Sequence, residues 1–257
     1  MTRIVSFHSF RRSTGKSLIV ANIAALLAEQ GRNVGVVDAA FHSPGMQHQF
    51  GLADTAIVRT LNDYIWGSCD IEQAAYDVTP SQLADAGGRI VLVPASMRPA
   101  AVARVLREGY DVRLPDDGLA TLIEHFQLDA LLIDTHAGIN EETLVAAALA
   151  DGIAIVMRPD RQDHLGSGVT IEIAQRLAIE SVHLILNELP PQSDLAATAA
   201  HFAASFACPV AAALPHSDDL ATAADPALFC IHFPDHLFTI SLRQSLPLLL
   251  PAIGKTY

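Results

Sequence analysis

Gly15-Lys16-Ser17 is a short run with a definite chemical meaning when it follows a strand and opens a helix. A glycine lets the backbone come close to a phosphate, a lysine ammonium reaches the β- and γ-phosphates, and a serine hydroxyl offers an oxygen to Mg2+. The helix N-terminus adds unpaired N–H groups and the positive end of its dipole. Thr14, Gly15, Lys16 and Ser17 are therefore the candidate phosphate-binding residues, within the frame Phe10-Arg11-Arg12-Ser13-Thr14-Gly15-Lys16-Ser17. The full loop pattern also places a glycine at position 10, where this chain has phenylalanine. Two aspartates end apolar runs: Asp38 after Val34-Gly35-Val36-Val37, and Asp134 after Leu131-Leu132-Ile133. A carboxylate delivered at the carboxyl end of a strand beside such a loop holds the Mg2+ shell, so Ser17 and Asp134 are the candidate metal ligands. Asp38 is a candidate catalytic residue, with a turn-forming role as the alternative.

These residues need a scaffold of strands ending on one side. Runs rich in β-formers alternate with helical patterns along the whole chain, the signal for βαβ units. Strands are predicted near 4–8, 33–38, 89–94, 130–134, 153–157, 183–187 and 210–214. Between them, helices are predicted at 17–30, 100–107, 118–126, 141–150, 168–177 and 194–206, with a last one at 237–246 stopped by Pro247. The first of these carries Ile19, Ile23, Leu26 and Leu27 on one face. The fold class that follows is α/β: a doubly wound, mostly parallel sheet with helices on both faces and a phosphate loop after its first strand. No linker, repeat or charge block divides the chain, so residues 1–257 are expected to form a single domain. The stretch 60–88 is the least regular and is a candidate insertion.

Composition narrows the function classes. At 51% hydrophobic and 17% charged residues the chain is too apolar for disorder, yet its apolar runs are too short to span a bilayer. The start of the chain lacks the features of a secretory signal, so a cytoplasmic location is expected. A net charge of −12, with only Lys16 and Lys255 as lysines, argues against non-specific DNA binding. The final helix has Arg243 as its only base, which argues against a membrane-surface role. Cys69, Cys208 and Cys230 are widely separated, so neither a disulfide framework nor a cysteine metal site is expected. His232 and His236 are separated by Pro234 and are not expected to share a helix face. Gly166-Ser167-Gly168 lacks the strand context of a hydrolase nucleophile.

The loop, the Asp38 strand and the segment Leu131-Leu132-Ile133-Asp134-Thr135-His136-Ala137-Gly138 together resemble the MinD/ParA family of dimeric P-loop ATPases, whose loop reads K-G-G-x-G-K-[ST]. The similarity continues through Leu184-Ile185-Leu186-Asn187 and Ala213-Leu214-Pro215-His216. It implies ATP and Mg2+ as cofactors, with Asn187 reading adenine and Pro215 flanking the base. Arg11 falls where the family has a signature lysine that reaches the partner's nucleotide, so the implied catalytic set is Lys16, Asp38 and Arg11. It also implies a homodimeric, nucleotide-dependent switch that positions or partitions a cargo or regulates a partner. Two family glycines fall on Arg12 and Ser13, and the second aspartate of a D-x-D switch falls on Ala40. Side chains at 12 and 13 are expected to oppose the close backbone approach and positive φ that glycine gives. Alanine at 40 cannot orient water, so hydrolysis is expected to be weak or absent. The alternative is a pseudo-ATPase scaffold that no longer uses nucleotide. A metal-cluster maturation or reductase ATPase of the same fold is disfavoured by the absence of paired cysteines.

Overall fold

The alternating strands and helices close into one eight-stranded sheet in the computed structural model, which describes residues 2–108, 116–222 and 228–251. Lys255 lies outside the described residues. The strands are β1 (Arg3–His8), β2 (Asn33–Ala39), β3 (Tyr76–Asp77), β4 (Arg89–Val93), β5 (Ala130–Thr135), β6 (Gly152–Met157), β7 (Ser181–Leu189) and β8 (Val210–Pro215). Their order is β3-β4-β2-β5-β1-β6-β7-β8, parallel throughout except where β3 meets β4. The helices are α1 (Lys16–Glu29), α2 (Met46–Gln49), α3 (Leu61–Ile65), α4 (Pro99–Glu108), α5 (Asp116–Phe126), α6 (Glu141–Leu149), α7 (Arg161–Arg176), α8 (Leu195–Phe206), α9 (Asp218–Thr222), α10 (Phe229–His232) and α11 (Leu237–Leu249).

Strand alternation divides the sheet's side chains between two covers. Val5, Phe7, Val34, Val36, Leu132, Ala154 and Val156 pack with α1, α10 and α11. On the other face, Val37, Leu131 and Ile133 pack with α3 and α5, while Ile153, Ile155, Leu184 and Leu186 pack with α7 and α8. α1 is buried nearly all round, from Ile19 to Ala28, because α11 and α10 cover the side away from the sheet. Its alanines let both neighbours come close.

The chain leaves β1 toward one edge through β2 and β4. It returns to β5 beside β1, then builds β6, β7 and β8 on the other side. β1 therefore sits where the winding reverses, the crevice in which open α/β sheets bind ligands at the carboxyl ends of their strands. In-register pairing sets Asp134 beside Phe7 on one side and Asp38 on the other.

Two expected helix boundaries differ. Pro247 does not stop the last helix: α11 runs to Leu249 with Pro247 inside it. The missing N–H forfeits one helical bond, but Leu246 and Leu249 are buried and Leu250 N donates to Leu246 O at 2.8 Å, closing the final turn. α7 begins at Arg161, seven residues before the expected start. Asp160 caps it by accepting from Gln162 and Asp163 N–H groups, and Gly166 and Gly168 lie inside the helix. The stretch 60–88 supplies α3, two 3-10 turns and the short strand β3, and buries Leu61, Ile71 and Ala74 in the cluster with α5 and Leu83 in the cluster with α1. No helix among the described residues is long and apolar enough to cross a membrane.

Candidate nucleotide site

Residues 9–15 turn from β1 into α1 through two left-handed positions, Ser13 at φ 60 and Gly15 at φ 84. The turn that glycine would give at position 13 is kept by serine. Opposition from the side chain therefore takes the form of local strain, roughly 1–2 kcal/mol, rather than a rebuilt loop. Gly15 is required on two counts. Besides its φ, a Cβ there would meet Asn187 Nδ2 at 2.3 Å. Asn187 Nδ2 instead donates to the Thr14 carbonyl at 2.8 Å, tying the end of β7 to the loop.

Behind the loop, Lys16 and Ser17 converge on Asp134. The Lys16 ammonium pairs with its carboxylate, and Ser17 Oγ donates to Oδ2 at 2.6 Å. Lys16 is 7% exposed and Asp134 1%, so the pair is shielded from water and each charge needs the other. The Ser17 hydroxyl and the Asp134 carboxylate form an oxygen donor set that suits Mg2+, which takes one or two protein oxygens and completes its shell with phosphates and water. Among the described residues, no group of three or more His, Cys, Asp or Glu is arranged to hold a metal ion by itself.

Asp38 is turned into its own loop. Its carboxylate accepts from Ala40 N at 3.0 Å and from Gly45 N and Met46 N at 3.1 Å. Full burial, and then the charge of Asp134, raise its pKa to about 6 against the pull of those three donors. Ala40 lines the cleft beside it.

Arg11 is held within the same chain by the start of α7. Its Nε donates to Asp163 Oδ1 at 2.6 Å, its Nη1 to Gln162 Oε1 at 2.9 Å, and its Nη2 pairs with Asp160. Asp163, buried, also accepts from Arg158 N at 2.9 Å. Phe10 lies against Gly166, where an added Cβ would fall 2.0 Å from the ring. The substitution at position 10 is thus accommodated by a glycine one helix away.

A cleft of about 390 Å³ opens along the loop between Arg12, Ser17, Ala40, Ser43 and His136. Arg12 Nη2 lies 3.1 Å from His136 Nε2, and the His42 and His136 rings meet edge-on with centroids 5.0 Å apart. Burial and the neighbouring His42 lower the His136 pKa. His8, the last residue of β1, is buried, and neither ring nitrogen has a partner among the described residues. Burial, Lys16 and His136 push its pKa down to about 3.

No protein-family model matches the chain. An uncharacterized ATP-binding protein of Methanocaldococcus jannaschii is 28% identical over 193 residues, covering 75% of this chain and 67% of that protein. The septum site-determining protein MinD of Synechocystis sp. is 27% identical over 194 residues, covering 75% and 66%. Among solved structures, MinD complexed with Mg-ADP from Pyrococcus horikoshii superposes with a TM-score of 0.77 at 20% identity, covering 95% of this chain and 94% of that one. A ParA family ATPase from Chlorobium tepidum gives 0.74 at 17%, covering 96% and 99%. The chain is thus similar in sequence to MinD and shares the fold of MinD and ParA ATPases. An iron-sulfur cluster carrier protein of Pyrococcus furiosus is 24% identical over 189 residues, covering 70% of this chain and 59% of the carrier. The matches span about two thirds, or less, of these curated relatives' own length.

Within the MinD/ParA frame, the structure gathers Thr14, Gly15, Lys16, Ser17 and Asp134 in one place, with Asp38 beside Asp134 and Asn187 on the loop backbone. Pro215 is buried at the end of β8, paired with Leu189, and does not line the loop cleft. Sequence reasoning missed Asp160, Asp163 and His136. All three follow the carboxyl ends of β5 or β6, so a reading of every strand-end loop as site-facing would have found them.

Proposed function

We propose that this chain is a MinD/ParA-type, nucleotide-dependent switch that works as a cytoplasmic homodimer, positioning or partitioning a cargo or regulating a partner, with weak or absent ATP hydrolysis. The observation that carries this reading is the convergence of Lys16, Ser17 and Asp134 behind a loop with left-handed residues at 13 and 15. The Mg-ADP named for the Pyrococcus horikoshii structure supports the same ligand class here. Residues 1–257 act as a single domain in this reading.

Thr14, Gly15 and Lys16 bind phosphate, through loop N–H groups and the ammonium. Ser17 and Asp134 would hold Mg2+, which neutralises charge on the phosphates when bound. Asn187 and Pro215 belong to the base side. Lys16, Asp38 and Arg11 form the catalytic set, and that set is incomplete. Asp38 is occupied by three N–H groups of its own loop, Ala40 offers no carboxylate, and Arg11 is engaged by Asp160 and Asp163. Those engagements favour weak turnover, and they favour a scaffold without nucleotide as the second reading.

Binding and turnover measured together on the purified protein separate the two. Calorimetry with Mg·ATP is expected to give saturable binding with little phosphate release, and Lys16→Ala is expected to abolish binding because it removes the charge that faces the phosphates. Equal affinity for the unaltered protein and Lys16→Ala would sink the phosphate-loop assignment.

A further inference from the structure

Arg12 brings to the cleft a cation that stands where the family loop has a glycine. The other two cations of the loop are committed, Lys16 to Asp134 and Arg11 to Asp160 and Asp163. Arg12 makes no ion pair with a carboxylate among the described residues. Its guanidinium instead meets His136, which also lines the cleft, with Nη2 3.1 Å from Nε2.

The partner's chemistry matters. A guanidinium has only donors, so His136 Nε2 accepts and the imidazole carries its proton on Nδ1. The His42 ring packs edge-on against His136 and helps fix its plane. Arg12 is thus aimed by a neutral acceptor. A carboxylate would compete with an incoming anion for the guanidinium, whereas an imidazole yields to a phosphate, which accepts two charge-assisted bonds from the fork. His136 follows the candidate Mg2+ ligand Asp134 by two residues, so its contact brings the guanidinium to the strand-end segment beside which the metal-bridged terminal phosphate of a triphosphate would lie.

We propose that Arg12 binds the terminal phosphate of a nucleoside triphosphate, aimed by His136, and so sets a preference for triphosphate over diphosphate. Arg12 is the specificity-determining residue and His136 its positioning residue. The inference rests on the nucleotide reading above. A side-chain cation takes over from the backbone approach that glycine would allow at this position.

The test compares affinities for ADP and a non-hydrolysable ATP analogue, both with Mg2+, by calorimetry on the full chain, with thermal melts confirming that each variant folds. Arg12→Ala is expected to weaken the triphosphate by roughly ten- to a hundredfold, the loss of a charge-assisted contact, while ADP stays within about twofold. His136→Ala shifts the ratio in the same direction, and His136→Gln, which keeps an acceptor, restores it. Equal changes for both nucleotides in Arg12→Ala, or tighter binding of both, would overturn the assignment while leaving the nucleotide reading intact. Failure of the unaltered protein to bind either nucleotide would overturn both.

Discussion

Ser13 holds φ 60 at a position where glycine would sit without strain, and nothing but the loop's own geometry requires it to do so. Ser13→Gly is therefore expected to stabilise the fold by about 0.5–1 kcal/mol, once the freedom of an unfolded glycine is set against the relief, as urea unfolding would read. Tighter Mg·ATP binding should accompany it, since the loop no longer resists its phosphate-facing form. Ala40 is a different loss, of chemistry rather than of shape. Its N–H serves Asp38 while its methyl lines the cleft. Ala40→Asp is expected to raise turnover by an order of magnitude or more with little change in affinity, because a carboxylate there can orient the attacking water. Phosphate release at saturating Mg·ATP measures it, and an unchanged rate would mean that Asp38 and Arg11, held as they are, limit the reaction instead.

α7 shows how one element supports several loop residues. Its first turn holds Arg11 through Asp160 and Asp163, and its Gly166 makes room for Phe10. Gly166→Ala is expected to destabilise by roughly 1–3 kcal/mol by overpacking. Combined with Phe10→Ala, the losses should be clearly less than additive, because the clash disappears with the ring; additive melting shifts would deny the contact. These supports were hidden from the sequence for a plain reason. Gly15-Lys16-Ser17 and the strand-end Asp134 were legible because local chain order fixes them. The Arg11–Asp163, Asn187–Thr14 and Arg12–His136 contacts join residues 152, 173 and 124 positions apart, with no pattern linking them. The seven longer strands were legible from their apolar runs. β3 was not, since a two-residue antiparallel pairing has no periodicity to read. The two glycines of α7 concealed the first seven residues of a helix otherwise expected at 168–177, although its cap at Asp160 was in plain view, and Pro247 stood for a helix end that core packing of Leu246 and Leu249 carries through.

At the scale of the whole molecule, the buried His8 ties stability to pH. Its pKa falls from 6.5 to about 3 in the fold, so between those values the unfolded chain binds more protons than the folded one. The stability gained from keeping it neutral is complete above pH 6.5 and is lost as pH falls toward 3. His8→Leu should remove this dependence, losing up to about 2–3 kcal/mol less than the unaltered protein between pH 7 and pH 4.5 in urea unfolding. Parallel acid limbs for the two proteins would mean that His8 protonates inside the fold. The two margins of the sheet carry another consequence. One margin is β3, two residues long and antiparallel, and the other is β8, preceded by Pro209, ended by Pro215 and packed against α8 and α11. Neither offers a long row of free backbone donors and acceptors for a foreign strand. A homodimer of the kind proposed would then be held by side chains and loops rather than by continuation of the sheet, and strand-to-strand recruitment into fibres is disfavoured at both margins.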